Sequence, residues 1–287
     1  MSEKVTLAVI GGSGLYNMPG LQDTQEYDVD TPFGKPSSSI VVGDLEGQRI
    51  AFLARHGVGH FIMPSDVNYR ANIYALKELG AERVVSISAC GSLREDYAPG
   101  HIVIPDQLFD NTKGRERTFF GNGLVVHVSV ADPFCPDLSA QLEAATRKTN
   151  ATVHRGGSFI TIEGPRFSTK AESNTFRTWG MSLIGMTASP EAFLAREAEL
   201  CYAVMAHVTD YDVWHVSELP VTVEMVIQIL NKNTLVAQEA IRNLAKSLTQ
   251  DRSCDCDQAL ANALITRKDI IPSDTRKKVD LLIRKYN

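Results

Sequence analysis

Leu200-Cys201-Tyr202-Ala203-Val204-Met205-Ala206, followed closely by Thr209-Asp210-Tyr211-Asp212, decides how this chain folds. The apolar run reads as a strand buried on both faces, the kind that largely parallel sheets contain under two layers of helices. Carboxylates two residues apart at a strand end project to one side. There they accept hydrogen bonds, and either can hold or hand over a proton. Strand ends of open α/β sheets are also where ligands bind. Taken alone, the acid pair fits a solvated turn as well as a functional site.

Similar runs lie upstream. Val5 to Ile10 reads as a buried strand ending in Gly11-Gly12-Ser13-Gly14. Ile40-Val41-Val42 and Arg49 to Leu53 flank Asp44-Leu45-Glu46-Gly47, which predicts a β-hairpin. The spacing of Tyr69, Ile73, Leu76 and Leu79 predicts a helix over 68–79 that stops at Gly80. Arg83 to Ser88 reads as another strand, running into Ala89-Cys90-Gly91-Ser92. Strands are expected near 101–104, 157–162 and 182–184, and helices near 138–149, 170–178 and 190–198. A long amphipathic helix follows over 221–248, then shorter helical stretches near 258–265 and 275–285. This alternation predicts a single α/β domain over 1–287, with a central mixed, largely parallel β-sheet flanked by helices and a helical extension from about 251.

Composition narrows the function. The 287 residues are 44% hydrophobic and 22% charged, ample for a core. A net charge of −5 without a long basic run argues against nucleic acid as a partner. Met1-Ser2-Glu3-Lys4 leads straight into the first strand and reads as neither signal peptide nor membrane anchor, so a cytoplasmic protein is expected. Five cysteines make no disulfide framework. Cys90, Cys135 and Cys201 read as buried small hydrophobes. Cys254-Asp255-Cys256 has a spacing that suits redox chemistry or metal ligation. No second cysteine pair or nearby histidine completes a zinc site in sequence, so no metal is expected.

Other segments offer groups for an anion. The turn Gly11-Gly12-Ser13-Gly14 lets backbone amides approach one closely. It fails as a dinucleotide fingerprint because the third glycine position is Asn17, and no P-loop lysine follows. A phosphate site and a plain tight turn both remain open. Arg55-His56-Gly57, Ser88-Ala89-Cys90-Gly91 and Met186-Thr187 also end strands, with cationic, hydroxylic or small groups. In Thr161-Ile162-Glu163-Gly164-Pro165-Arg166-Phe167-Ser168, Phe167 could stack on a planar ligand or pack into the core.

Together with Met63-Pro64-Ser65, Phe176-Arg177-Thr178-Trp179-Gly180 and Ala89-Cys90-Gly91-Ser92-Leu93, these motifs resemble the 5′-methylthioadenosine phosphorylase family. That family lies in the trimeric branch of the purine nucleoside phosphorylases. The likeness covers about residues 5 to 250 in consistent order. It implies phosphate-dependent cleavage of methylthioadenosine to adenine and 5-methylthioribose 1-phosphate, with inorganic phosphate as co-substrate and no cofactor.

Position by position, the resemblance implies a phosphate site of Ser13, Arg55, His56, Ser88, Ala89 and Thr187. The family often has threonine where Ser13 and Ser88 stand, and serine keeps the hydroxyl. Met186 is implied against the ribose, Phe167 and Ser168 at the purine, and Asp210 and Asp212 on the base, with Asp210 as the catalytic acid. His127 matches a residue lent to a neighbouring subunit's 5′-pocket, which implies a homotrimer. Val223, Val226 and Ile227 match the apolar wall around the methylthio group; by spacing alone they are a core-facing helix stripe.

The chemistry suits these residues. As the glycosidic bond stretches, the purine gathers electrons, and a carboxylic acid near N7 can donate or share a proton. Asp210 serves there near neutral pH only if its pKa is raised. Carboxylates accept from adenine's 6-amino group and repel a 6-oxo group, so the pair favours 6-aminopurines. A phosphorylase of broader or 6-oxo preference, and a nucleoside sensor without turnover, are the competing readings.

Overall fold

The apolar runs become the centre of one 11-stranded sheet in the computed structural model. Its description covers residues 4–12, 14–15, 18–215, 223–249 and 251–286, with backbone alone over 223–232. The first half holds β1 (Leu7–Gly11), β2 (Gln22–Tyr27), β3 (Ile40–Leu45), β4 (Gln48–Ala54), α1 (Tyr69–Glu78) and β5 (Arg83–Ser92). Next come β6 (Ile102–Ile104), β7 (Gln107–Asn111), α2 (Pro136–Thr146), β8 (Val153–Arg155), β9 (Ser158–Ile162) and α3 (Lys170–Thr178). The chain continues with β10 (Leu183–Gly185), α4 (Ala188–Glu197), β11 (Cys201–Asp210), α5 (Val223–Ser247), α6 (Ser273–Lys278) and α7 (Asp280–Ile283).

β11 shows why the sheet needs helices on both faces. Tyr202, Val204, Ala206 and Val208 enter one apolar cluster, with α1 and α4 residues such as Ile73 and Leu194. Cys201, Ala203 and Met205 enter another, with Leu138 of α2 and Ile241 of α5. Every second side chain thus faces a different helix layer, which a run without polar interruption requires.

Strand order runs β2-β3-β4-β1-β5-β10-β9-β7, with β11 paired to β5 and β6, and β8 paired to β6. β1 is parallel to β4 and β5, and β11 is parallel to β5, so four C-terminal ends share one rim. β10 runs antiparallel along the end of β5, Leu183 opposite Ser92 and Ile184 opposite Gly91. It therefore delivers Met186 and Thr187 back to the same rim. Local signals set the rest. Glu46 and Gly47 turn the β3–β4 hairpin with φ of 52° and 79°, the left-handed pair that a two-residue hairpin needs. Asn68 caps α1 by accepting from the Ala71 N–H at 3.1 Å.

Four expectations change. β2, β7 and β8 carry too little apolar alternation to be seen in sequence; β2, in particular, is almost wholly exposed. The stretch 258–265 is not a helix: after a 3₁₀ turn at Cys256–Gln258, Leu264 bridges antiparallel to Val126. Residues 275–285 divide into α6 and α7 around Val279, which is buried in the core with Leu282 and Ile283. The fourth change concerns sulfur. Cys135 and Cys201 are not isolated hydrophobes, because folding brings both against Cys254 and Cys256. Sequence distance hid that second pair.

Among the described residues no helix is long and apolar enough to cross a membrane.

Candidate active site

At the end of β11 the register with β5 slips between Val208 and Asp210, so Val208 faces Cys90 and Asp210 faces Gly91. Such a bulge re-aims the side chains beyond it. Asp210 then closes a small turn of its own: Oδ1 accepts the Asp212 N–H at 2.7 Å, and Oδ2 accepts the Thr209 hydroxyl at 2.6 Å. Asp212 takes the left-handed conformation at φ 52°, which aspartate tolerates better than most residues. A Cβ on Gly91 would lie 2.9 Å from Asp210 Oδ1 and 3.3 Å from the Asp212 Cβ, so both acids lie against this glycine.

Burial pushes the Asp210 carboxyl above the usual aspartate range, outweighing the bonds from Thr209 and Asp212, and the Asp212 charge adds to it. Asp212 is also raised, again chiefly by burial, with Ser173 and Ser168 beside it pulling the other way. Asp212 Oδ2, Ser168 Oγ and Ser173 Oγ are nonetheless buried without a well-formed hydrogen bond among the described residues. Buried polar atoms rarely stay unpaired, and these three lie together with hydrogen-bonding capacity to spare. Thr209 adds an adjustable partner, since its hydroxyl also reaches the Cys90 carbonyl at 3.2 Å. One hydroxyl hydrogen serves one acceptor at a time, so Thr209 can turn to Cys90 and leave Asp210 Oδ2 free to carry a proton.

The residues assigned to phosphate gather on the neighbouring strand ends. Ser88 Oγ and Thr187 Oγ1 stand 3.3 Å apart. Thr187 precedes α4 without capping it through its side chain, which leaves the hydroxyl available. Arg55 is buried and already engaged. Its Nε and Nη2 donate to Glu191 at 2.8 and 2.9 Å, Nη2 also to Ser86 Oγ at 2.7 Å, and Nη1 to the Ile87 carbonyl at 3.1 Å. One Nη1 hydrogen remains without an acceptor among the described residues. His56 differs from expectation too. Nδ1 lies 2.9 Å from the Ile62 carbonyl and must donate to it, while burial and the Arg55 charge hold the imidazole pKa down to about 4. A neutral ring with its proton on Nδ1 presents Nε2 as an acceptor, not the donor that sequence suggested. Ser13 lies outside the described residues.

Met186 packs on Gly164, whose added Cβ would sit 2.7 Å from its sulfur, so this side chain borders the loop that carries Phe167. Phe167 is 43% exposed, open to a stacking partner rather than consumed by the core, and Ser168 is buried. His127 is exposed and held by its backbone, its N–H donating to the Ala263 carbonyl at 2.9 Å. No hydrogen bond among the described residues ties its ring to the acids. Val223, Val226 and Ile227 lie on α5, but their side chains fall outside the described residues.

Three residues escaped the sequence reading. Glu191, fully buried, pairs with Arg55 and accepts from the Tyr202 hydroxyl at 2.8 Å. An acid in the first turn of α4, between Pro190 and Ala192, was the available signal. Arg115 donates to the carbonyls of Met186 and Ser189 at 2.7 and 2.8 Å and to Glu163 Oε1 at 2.9 Å, binding the loop of Met186 to that of Glu163. It stands in the charged run Lys113-Gly114-Arg115-Glu116-Arg117, which carries no apolar pattern to mark it. Trp214 donates to the Ser92 carbonyl at 2.7 Å under the Arg177 guanidinium, which anchors the turn beyond Asp212.

Known proteins resemble this chain along its whole length. A family model described as the phosphorylase superfamily matches residues 6–248. An S-methyl-5′-thioadenosine phosphorylase of Geobacter sulfurreducens is 54% identical over 281 residues, 98% of this chain and 98% of its own. The crystal structure of a methylthioadenosine phosphorylase from an antarctic soil metagenomic library matches with a TM-score of 0.93 at 45% identity, covering 97% of this chain and 99% of that one. The methylthioadenosine phosphorylase of Schistosoma mansoni, solved in complex with adenine, matches with a TM-score of 0.85 at 37% identity, covering 93% and 100%.

Proposed function

The chain belongs to the phosphorylase superfamily, and from that premise we propose that it cleaves 5′-methylthioadenosine with inorganic phosphate, giving adenine and 5-methylthioribose 1-phosphate. The observation that carries the choice of base is the buried trio of Asp212 Oδ2, Ser168 Oγ and Ser173 Oγ beside the raised carboxyl of Asp210. Adenine's amino group offers donors to that trio, and a 6-oxopurine offers none there.

Phosphate is held at the rim by the Ser88 and Thr187 hydroxyls, the Ala89 backbone, the spare Nη1 hydrogen of Arg55 and Ser13. Since Glu191 already balances the Arg55 charge, the pocket works mainly by directed hydrogen bonds, not by net charge. The neutral His56 accepts the hydroxyl proton of hydrogen phosphate at Nε2, which orients the nucleophilic oxygen toward C1′. As the bond to N9 breaks, electrons move into the purine and Asp210 supplies a proton to N7. Thr209 swings to Cys90 while that proton is in place. Phe167 stacks on the purine, Met186 lies against the ribose, and Val223, Val226 and Ile227 wall the methylthio group.

The assembly we propose is a homotrimer in which exposed His127 reaches the next subunit's 5′-pocket. Val58, Phe61, Met63, Val125 and Ile265 are exposed large apolar side chains that a subunit boundary would cover. Beyond phosphate the reaction needs no cofactor, and five free cysteines suit the reducing cytoplasm. Comparing methylthioadenosine with methylthioinosine at fixed phosphate tests the reading. We expect kcat/KM to favour the 6-amino substrate by roughly 10⁴-fold, and equal use of both would overturn it.

A further inference from the structure

Four of the five cysteines meet at one point. Cys135 caps α2, Cys201 opens β11, and Cys254 and Cys256 arrive from the segment after α5. Their Sγ atoms all lie within 4.8 Å of one another, and Cys201 and Cys254 are 3.4 Å apart. Cys135, Cys201 and Cys256 are buried. We propose that these four thiols form a structural zinc site that fastens the C-terminal segment to the strand leading to Asp210.

The geometry suits the ion. Four thiolates at about 2.3 Å from a tetrahedral zinc stand about 3.8 Å apart, so these sulfurs need shifts of no more than about an ångström. A disulfide requires about 2.05 Å, and Cys201 and Cys254 are well beyond it at 3.4 Å. Charge agrees. A tetrathiolate zinc carries two negative charges, and two guanidiniums lie beside it. Arg196 Nη1 donates to Cys256 Sγ at 3.3 Å, and Arg252 lies beside Cys201. The Leu138 N–H at the start of α2 donates to Cys135 Sγ at 3.4 Å. Such outer donors are what a thiolate site needs to hold its ligands in place. Binding releases the four thiol protons to solvent and consumes no oxidant.

All four positions come from protein sulfur, which leaves no vertex for substrate, so the role is structural. What the ion would secure is specific. The segment beyond Cys256 buries Leu260, Ile271, Leu282 and Ile283 in the core, and its Ala263 and Ile265 pair with the loop carrying His127. Anchoring Cys254 and Cys256 thus reaches the residue that we place at the neighbouring subunit.

The test uses the full chain, purified with reductant and without chelator, and metal analysis by plasma mass spectrometry. About one zinc per chain is expected. Protein stripped of metal and titrated with Co²⁺ should show thiolate-to-cobalt charge transfer and the visible bands of tetrahedral cobalt, saturating at about one equivalent. C254S/C256S should lose both the zinc and that spectrum, and should melt at lower temperature. If the double variant fails to fold, the cobalt titration of the unaltered chain still decides. Reduced protein that contains no zinc and gives no tetrahedral cobalt spectrum would overturn the proposal. So would two disulfides among these cysteines persisting under reducing purification.

Discussion

Replacing Asp210 with asparagine separates its chemistry from its place in the fold. The carboxyl accepts from the Asp212 N–H at 2.7 Å and the Thr209 hydroxyl at 2.6 Å. In Asp210→Asn the amide oxygen can keep the first bond. The amide nitrogen then faces Thr209, whose hydroxyl is free to donate to the Cys90 carbonyl at 3.2 Å. Both contacts survive in neutral form, so the stability loss should stay below about 1 kcal/mol, a few degrees of melting temperature. An amide cannot deliver a proton to N7, and general acid catalysis contributes about 10²–10⁴ in rate, or about 3–5 kcal/mol. Adenine release at saturating phosphate should therefore fall at least 100-fold in kcat, roughly the lower bound of that range, with the KM for phosphate little changed. The pH profile adds a second readout. Because burial raises the Asp210 pKa, its proton is present below that value, and wild-type activity declines as pH rises through it. The variant should lack that alkaline limb. A folded variant within tenfold of wild-type kcat, or one that keeps the limb, would refute the assignment of the acid.

Further outcomes follow from the same contacts. Gly91→Ala places a Cβ 2.9 Å from Asp210 Oδ1, 3.0 Å from Ile184 Cγ2 and 3.3 Å from the Asp212 Cβ, so kcat/KM for methylthioadenosine should fall by about tenfold or more, with the Ile184 contact lowering the melting temperature by a few degrees. Unchanged kinetics would mean that the acids do not read the base. Thr187→Val keeps shape but removes the hydroxyl 3.3 Å from Ser88 Oγ, and the KM for phosphate should rise by about tenfold or more, the worth of one hydrogen bond to an anion. A phosphate KM within twofold would remove Thr187 from the site. His207 is buried with no partner for either ring nitrogen among the described residues, and burial pulls its pKa down to about 4. A depressed histidine stabilises fully above its unfolded pKa of about 6.5 and loses that contribution as pH falls toward its folded value. Between pH 7.5 and 4.5 this costs about 2–3 kcal/mol, readable as a lower urea midpoint that His207→Leu should lessen. Equal midpoints in the wild type would contradict the burial of a neutral ring.

Legibility in the sequence followed burial. Strands covered on both faces, such as 200–206, announce themselves because each side chain must be apolar. β2 pairs through its backbone alone and carries Gln22-Asp23-Thr24-Gln25-Glu26-Tyr27, which no apolar pattern distinguishes from a loop. Asp210, Ser88 and Thr187 stand out as candidates because motifs end at their strand ends, and the parallel register brings those ends to one rim. Glu191 pairs with Arg55, 136 residues away, and Arg115 with the Met186 carbonyl, 71 away, so nothing local marks these contacts. The four sulfurs have the same character. Cys135 and Cys201 read as core until the C-terminal segment folds back onto them. The acceptor role of the His56 ring was hidden as well, because the partner that fixes its tautomer is the backbone of Ile62.

The central claim is phosphorolysis of a 6-aminopurine thionucleoside, and the most direct test is adenine release from methylthioadenosine with and without inorganic phosphate. The account predicts rapid release that requires phosphate and yields one 5-methylthioribose 1-phosphate per adenine. Release at the same rate without phosphate, or tight binding with no release at all, would contradict it.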